Sequence, residues 1–195
     1  MSGLVFIDIE TTGLISGYHE IIEIAIIGDG FEYHKKLKPS RLELADPRAL
    51  AINGYTSKEW REASEPYNVA IEVAQILKGC TIVAHNPHFD MEFITELCEK
   101  YELPCLWKRR YIDTITLAYE HLKPCGIESV SLSSCRAFFG WSQIGAHTAL
   151  QDARDCRRLF YKLTRASSLK RCFWFLYPKI SAFWCLRQHK KRSRV

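Results

Sequence analysis

The amino-acid sequence predicts an α/β domain with a central, mixed, five-stranded sheet that is flanked by helices on both faces. Short β-branched and apolar runs recur between Leu4 and Ile112, and from Pro66 onwards helical periodicities alternate with them. A length of 195 residues with 47% hydrophobic composition is sufficient for one buried core. These observations favour a single domain built around one sheet.

The predicted strands are short apolar segments bounded by turn residues. They are Leu4–Ile9, Ile21–Ile27, Phe31–Leu37, Cys80–Ala84 and Tyr111–Ile112. The turn signal Gly28-Asp29-Gly30 joins the second and third strands, so these two are expected to form a hairpin that continues antiparallel from the first. The first strand ends in carboxylates before Thr12-Gly13 breaks it, which places acidic groups at a sheet edge.

The predicted helices show apolar residues at helical spacing. They comprise a helix from Pro66 that Gly79 ends, Met91–Tyr101, a helix from Thr114, Leu132–Phe139 and Ala149–Thr164. The segment Pro39–Asn53 is predicted to be a connection. Asp113 precedes Thr114 and is predicted to be a helix N-cap rather than a site residue.

Charge divides the chain into two parts. All 22 acidic and 19 of the 27 basic residues precede Lys170, so that part carries −3, whereas the eight bases from Lys170 onwards give +8. We therefore predict a domain over residues 1–165 and a basic, aromatic-rich tail over 166–195. The tail's apolar stretch is interrupted by Pro178 and Lys179 and is shorter than the roughly 20 residues of a spanning helix, which argues against a transmembrane segment.

The eight cysteines form no CxxC pair and are predicted to be reduced core thiols. The N-terminus has no signal-peptide pattern, so the expected location is cytoplasmic. Three histidines, His19, His34 and His121, lack ligand spacing and are not assigned to zinc. Five aromatic side chains are predicted to pack in the core or at its edge: Trp60, Trp107, Tyr111, Phe138 and Trp141.

Four carboxylates fall at predicted strand ends or helix starts: Asp8, Glu10, Asp90 and Asp152. Asp8 and Glu10 are two residues apart in a strand, so both point to one face while Ile9 points into the core. Carboxylates without any cysteine suit Mg²⁺ or Mn²⁺, and two such ions promote phosphodiester cleavage. The alternative reading is a set of solvated carboxylates, with Asp152 favouring the helix N-terminus.

His147 lies five residues before Asp152, in a predicted loop just ahead of the last helix. Histidine titrates near neutral pH, so its imidazole can accept a proton from an attacking water. His147 is therefore the candidate general base, although a single histidine is more often structural.

Three ordered motifs give these residues a specific resemblance. Phe6-Ile-Asp-Ile-Glu-Thr-Thr-Gly13-Leu14, His85-Asn-Pro-His-Phe-Asp90 and His147-Thr-Ala-Leu-Gln-Asp152 resemble the exonuclease motifs of the DEDDh family, which includes the proofreading subunit of bacterial DNA polymerase III and ribonuclease T. The resemblance covers roughly Gly3 to Arg165, including Asp46-Pro47 and Ile52-Asn-Gly54 between the motifs. It implies a ribonuclease H-like fold and 3′→5′ exonuclease activity with two Mg²⁺ or Mn²⁺ ions.

The resemblance also implies roles for individual residues. Asp8 would bridge both metal ions, Glu10 and Asp152 would complete the tighter site, and Asp90 would support the second ion through water. The side chains expected at the 3′-terminal nucleotide are Thr11, Thr12 and Leu14, and those expected at the next nucleotide are His85, Asn86 and Phe89.

The favoured substrate is single-stranded DNA. RNA trimming is the alternative within the same chemistry, and a non-catalytic nucleic-acid-binding or polymerase-tethered module is the alternative of another class; no motif residue is missing to favour it. The tail is expected to contact nucleic acid, a protein partner or an anionic membrane surface, or to fold back on the domain.

Overall fold

A computed structural model describes residues 3–165. Within these residues the chain forms five strands: β1 (Leu4–Thr11), β2 (Ile21–Ile27), β3 (Glu32–Lys36), β4 (Thr81–Ala84) and β5 (Tyr111–Asp113). They form one mixed sheet in the order β3-β2-β1-β4-β5. The first three strands are antiparallel, while β4 and β5 run parallel to β1. The predicted mixed five-stranded sheet is confirmed.

Six α-helices lie within the same described residues: α1 (Pro47–Ile52), α2 (Pro66–Leu77), α3 (Pro87–Lys100), α4 (Thr114–Leu122), α5 (Leu132–Phe138) and α6 (Ala149–Thr164). Short 3₁₀ turns occur at Leu42–Leu44 and Lys123–Cys125. Helices α2 and α3 cover one face of the sheet, and α6 covers the other with α4 and α5 beside it.

The alternation of side chains along β1 links the sheet to both layers. Val5, Ile7 and Ile9 pack into the core under α2 and α3, whereas Phe6 packs against α6, with its ring 5.5 Å from that of Phe160. Each such apolar side chain contributes about 1.5–3 kcal/mol when fully buried. The same alternation directs Asp8 towards the α6 side, and Ile9 points into the core as predicted.

Two parts of the chain differ from the sequence prediction. Helix α1 occupies the segment predicted as a connection, with Pro47 in its first turn and the Asp46 carboxylate accepting a hydrogen bond from the Arg48 amide at 2.8 Å. Helix α3 begins at Pro87 rather than at Met91, because Asn86 adopts a left-handed conformation (φ 85°) and ends the preceding segment. Asp90 therefore lies inside the first turn of a helix.

The remaining structural expectations concern packing. Trp60, Trp107 and Trp141 are buried, and Asp113 caps α4 by accepting a hydrogen bond from the Ile115 amide at 2.8 Å. All six cysteines among the described residues are free thiols. No helix in residues 3–165 is both long and apolar enough to span a membrane. The predictions about the tail fall outside the described residues.

Candidate functional site

Three of the predicted carboxylates converge at one edge of the sheet. Ligand oxygens from Asp8, Glu10 and Asp152 all lie within 4.8 Å of one another. Asp8 and Glu10 reach this position from one face of β1, and Asp152 reaches it from the first turn of α6. The cluster is partly open to solvent, as a site for an ion and a substrate must be.

Asp90 lies beside this cluster rather than within the group of three. It is buried in the first turn of α3, where its own backbone and that of Ile9 oppose the rise that burial causes in the pKa of its carboxyl. Of the neighbouring charges, Asp90 acts most strongly on Asp8. Asp90 thus lies next to the strand that carries Asp8.

Crowding and burial make the charged forms of these acids costly. Burial, followed by repulsion from Asp90 and Asp152, raises the pKa of Asp8 well above its ordinary value. Burial raises the pKa of Asp90 to about 8. The pKa of Asp152 is also raised by burial, although its hydrogen bond from Arg136 opposes the rise. Negative charge therefore exceeds positive charge in this cluster, even with Arg136 paired to Asp152.

A further acid, Glu23, increases the repulsion at Glu10. The two residues are paired across β1 and β2, and Glu23 is 2% exposed with its carboxylate 2.8 Å from Nε2 of His34. Burial is the main cause that raises the pKa of Glu10 to about 8, followed by Asp152 and then Glu23. Like charges directly opposite each other destabilise a sheet, so a bound cation would relieve this pair.

The carboxylate of Asp152 is held by a buried arginine. Arg136 on α5 is 1% exposed; its Nη2 donates to Asp152 Oδ1 at 2.6 Å and its Nε donates to Asp155 Oδ2 at 2.8 Å. The sequence interpretation did not identify Arg136 or Glu23. The available signal was the position of Arg136 four residues after Leu132, on the face where a helix buries its apolar side chains.

His147 is exposed in the loop that precedes α6, as predicted. Its backbone is left-handed (φ 64°), which is uncommon for a residue other than glycine. Its amide donates to Asp152 Oδ1 at 3.3 Å, and its side chain acts electrostatically on the same carboxylate. This strained position brings a titratable imidazole to the carboxylate cluster.

The loop that follows β1 is held from both sides. The Thr11 hydroxyl donates to the Gly13 carbonyl at 2.6 Å, and the Thr12 hydroxyl accepts from the Glu20 amide at 2.9 Å. Across the chain, Asn53 Nδ2 donates to the Thr11 carbonyl at 2.9 Å, and the Asp46 amide donates to the Thr12 carbonyl at 2.8 Å. The segment between the first two motifs therefore supports this loop.

The same loop displays apolar side chains to solvent. Leu14 is 79% exposed and Ile15 is 62% exposed. Gly13 passes directly under the ring of His19, whose Nδ1 accepts a hydrogen bond from the Ile15 amide at 3.0 Å. Exposed aliphatic groups on a loop tied down in this way are suited to contact a planar apolar ligand.

The second group of predicted contact residues differs in accessibility. Both ring nitrogens of His85 are occupied, by the Thr114 hydroxyl at 2.9 Å and the Val130 carbonyl at 3.0 Å. Asn86 is exposed, and Phe89 is half-buried with its ring 5.0 Å from that of Phe93. The geometry thus leaves Asn86 exposed and Phe89 partly accessible, whereas His85 supports the end of β4.

Comparison with known proteins assigns the chain to a family. The sequence profile of the exonuclease family (RNase_T) matches residues 5–160. The chain is 38% identical over 163 residues to a PolC-type DNA polymerase III of Thermotoga petrophila, covering 81% of this chain and 12% of that protein. It is 29% identical over 161 residues to the DNA polymerase III subunit epsilon of Treponema pallidum, covering 78% and 72% respectively.

A solved structure shares the fold. Exonuclease I of E. coli in complex with a dA16 oligonucleotide superposes with a TM-score of 0.72 at 20% identity, covering 91% of this chain and 43% of that one. The chain therefore spans less than half of that enzyme and about an eighth of the PolC-type relative. The profile match over most of the chain, together with the carboxylates that its three motifs bring to one sheet edge, shows that the protein belongs to the exonuclease family.

Proposed function

We propose that this chain is a metal-dependent 3′→5′ exonuclease that releases nucleoside 5′-monophosphates from the 3′ end of single-stranded DNA. The observation that carries the proposal is the convergence of Asp8, Glu10 and Asp152 within 4.8 Å, with Asp90 next to them. This arrangement lies between an exposed apolar loop and an exposed histidine, so it has a place for a terminal nucleotide and a group for proton transfer.

The residues present fit hard divalent cations, and we propose that two are bound. The donor set consists of carboxylate oxygens, which Mg²⁺ and Mn²⁺ prefer. Burial raises the pKa values of Asp8, Glu10 and Asp90, and repulsion between carboxylates adds to the rise at Asp8 and Glu10. Asp8 would contact both ions, Glu10 and Asp152 would complete one site, and Asp90 would serve the other. When bound, two such ions neutralise the charge that develops on the attacking and leaving oxygens.

The remaining chemistry belongs to the side chains of this protein. His147 would accept the proton of the attacking water, for which its imidazole must be neutral at the working pH. The hydrogen bond from its amide to Asp152 keeps the imidazole close to the reacting centre. Leu14 would lie against the terminal base, with the backbone of Thr11 and Thr12 near the sugar. Asn86 and Phe89 would contact the next nucleotide, with His85 behind them.

Single-stranded DNA is favoured because contacts from apolar side chains reach bases that are not paired and tolerate any sequence. The complex of E. coli exonuclease I with dA16 belongs to a protein of the same fold. RNA trimming uses the same chemistry. Faster release from RNA than from DNA oligonucleotides would indicate that RNA is the substrate. Because its relatives include replicative polymerase proteins, we propose a role in DNA replication or repair and a cytoplasmic location.

The experiment compares 3′-labelled and 5′-labelled oligonucleotides of DNA and RNA, single- and double-stranded, with Mg²⁺, Mn²⁺ or EDTA. Asp8→Asn is the matched control because it keeps the size of the side chain and removes the charge. We expect metal-dependent release of mononucleotides from the 3′ end, fastest on single-stranded DNA, and none with Asp8→Asn. Release that survives EDTA or Asp8→Asn, or no release from any strand, would reject the proposal.

We also propose that residues 1–165 form the exonuclease domain and that the basic residues of 166–195 bind nucleic acid or a partner. The support is the change in charge at Lys170 and the match of the family profile, which ends at residue 160.

A further inference from the structure

Arg136 lies at the junction between the carboxylate cluster and the loop of His147. Its side chain is 1% exposed, yet only two of its three nitrogens are paired within the described part of the chain. Nη2 donates to Asp152 at 2.6 Å, Nε donates to Asp155 at 2.8 Å, and Nη1 is buried without a hydrogen-bond partner. One guanidinium therefore joins α5 to two carboxylates of α6.

The contacts of Asp152 are divided between its two oxygens. Oδ1 accepts from both Arg136 Nη2 and the His147 amide, whereas Oδ2 accepts no hydrogen bond from residues 3–165. Because Oδ1 accepts two hydrogen bonds, the Asp152 carboxylate cannot rotate freely about its Cβ–Cγ bond. Oδ2 therefore keeps its lone pairs available, and a carboxylate oxygen of Asp152 lies within 4.8 Å of ligand oxygens of Asp8 and Glu10.

Asp155 anchors the guanidinium from the other side. It is 3% exposed, and its Oδ2 accepts from Gln151 Nε2 at 3.0 Å as well as from Arg136. Since Asp152 and Asp155 are three residues apart on one helix, their charges repel unless a cation lies between them. The Arg136 guanidinium lies between the two carboxylates. Because the group is planar, its Nε and Nη2 donate to them in fixed directions, as the two arms of a fork.

Stability alone does not account for this arrangement. Well-packed apolar residues in place of a buried ion network are often equally or more stabilising, and a buried unpaired N–H group carries a desolvation cost. The network is explained if its purpose is to hold a carboxylate in place before a cation arrives.

We propose that Arg136 is a positioning residue that acts through Asp152, presenting one oxygen of that carboxylate to the cation site and holding the His147 amide against the other. The inference rests on the proposed function, because it takes Asp152 to be a metal ligand. Arg136 lies outside the three motifs, so the proposal adds a residue to those that the family resemblance places at the site. Residues in this position around metal sites commonly affect metal affinity by about 10–100-fold.

A role as counter-charge alone leads to the opposite expectation. The guanidinium carries the same sign as a divalent cation, so removing a purely electrostatic neighbour would strengthen cation binding. Replacement by lysine would change little in that case, since the charge is retained. If the fork positions Asp152, lysine fails as well, because one ammonium cannot reproduce two fixed donor directions.

The test is titration of the full-length protein with Mn²⁺ in the absence of nucleic acid, with free Mn²⁺ measured by electron paramagnetic resonance. The variants are Arg136→Gln, Arg136→Lys, Asp152→Asn and the double variants that combine each Arg136 change with Asp152→Asn. The matched control is Arg154→Gln, which removes an exposed arginine of α6 that pairs with Glu32. Melting curves in EDTA establish that each variant is folded at the titration temperature.

We expect Arg136→Gln and Arg136→Lys each to weaken Mn²⁺ binding by about 10–100-fold. Neither should weaken it further in the Asp152→Asn background, and the control should change by less than about twofold. Wild-type or tighter binding by either Arg136 variant, or losses that add in the double variants, would overturn the proposal. If Arg136→Gln does not fold, Arg136→Lys decides the question alone. Unchanged affinity in Asp152→Asn would instead reject the metal site itself.

Discussion

The close approach of Gly13 to His19 leads to a prediction about the loop that carries Leu14. A Cβ atom at position 13 would lie 2.3 Å from Cδ2 and Nε2 of the His19 ring. The ring is 8% exposed, and its Nδ1 accepts a hydrogen bond from the Ile15 amide. Gly13 is not in a left-handed conformation, so Gly13→Ala tests the contact and not the backbone.

The size of the effect follows from the overlap. Normal contact requires the ring and the Cβ to separate by about 1 Å more, and overpacking of this kind costs about 1–3 kcal/mol. Loss of the hydrogen bond to Ile15 adds about 1 kcal/mol. A total near 3 kcal/mol lowers the melting temperature of a domain of this size by roughly 6–12 °C. A displacement of about 1 Å next to the reacting centre can also reduce turnover by about 10²-fold.

Calorimetric melting and release of 3′-labelled mononucleotide measure these two effects. Gly3→Ala is the matched control, because a Cβ there would meet nothing within 4 Å. The double variant Gly13→Ala/His19→Ala removes the ring that causes the clash and should recover part of the lost stability. If Gly13→Ala melts and cleaves like Gly3→Ala, the ring does not constrain the loop and the reasoning is wrong.

Four further predictions concern the site and the tail. His147→Ala should lower turnover by roughly 10²–10⁴-fold while Mn²⁺ affinity is retained, and a change below about threefold in a cleavage assay would exclude His147 as the base. In EDTA, the free energy of unfolding of the wild type, measured relative to that of Glu10→Gln, should fall as pH rises from about 4 to 8. The reason is that folded Glu10 keeps its proton up to a pKa of about 8, whereas the unfolded chain releases it near 4; melting curves that show the opposite slope would contradict the raised pKa. Leu14→Ala should raise KM for oligonucleotides about 5–30-fold through loss of about 1–2 kcal/mol of apolar contact, and an unchanged KM would remove Leu14 from the substrate site. Truncation after Arg165 should preserve cleavage of short oligonucleotides and weaken salt-sensitive binding to long strands, a loss that binding isotherms at low salt would detect.

The sheet and the carboxylate cluster could be predicted because their signals are local. Apolar residues alternate with Asp8 and Glu10 along one strand, so a single period fixes which side chains share a face. The first turn of α6 follows from the start of its apolar stripe at Ala149, which places Asp152 at that end of the helix. Strand ends and helix starts meet at one edge in this class of sheet, and the acids converge there.

Helix α1 could not be predicted from periodicity, because none of its six residues is buried and no apolar stripe marks it. Asp46 followed by Pro47 is a helix N-terminal signal, but no helical periodicity of apolar residues follows it. The ion pair between Arg136 and Asp155 could not be predicted from the sequence for another reason. Its partner Asp155 lies 19 residues away on a different helix, and only the packing of α5 against α6 brings the two together.

The proposed metal site draws its ligands from almost the whole length of the described chain, from Asp8 in the first strand to Asp152 in the last helix. During synthesis, a nascent chain that has left the ribosome up to residue 140 already contains β1 and Asp90, yet it has neither Asp152 nor His147. If domains fold as units after they emerge, the proposed nuclease activity would arise only when synthesis of the domain is nearly complete. Abortive fragments that end before α6 would then be unable to degrade the nucleic acid around them.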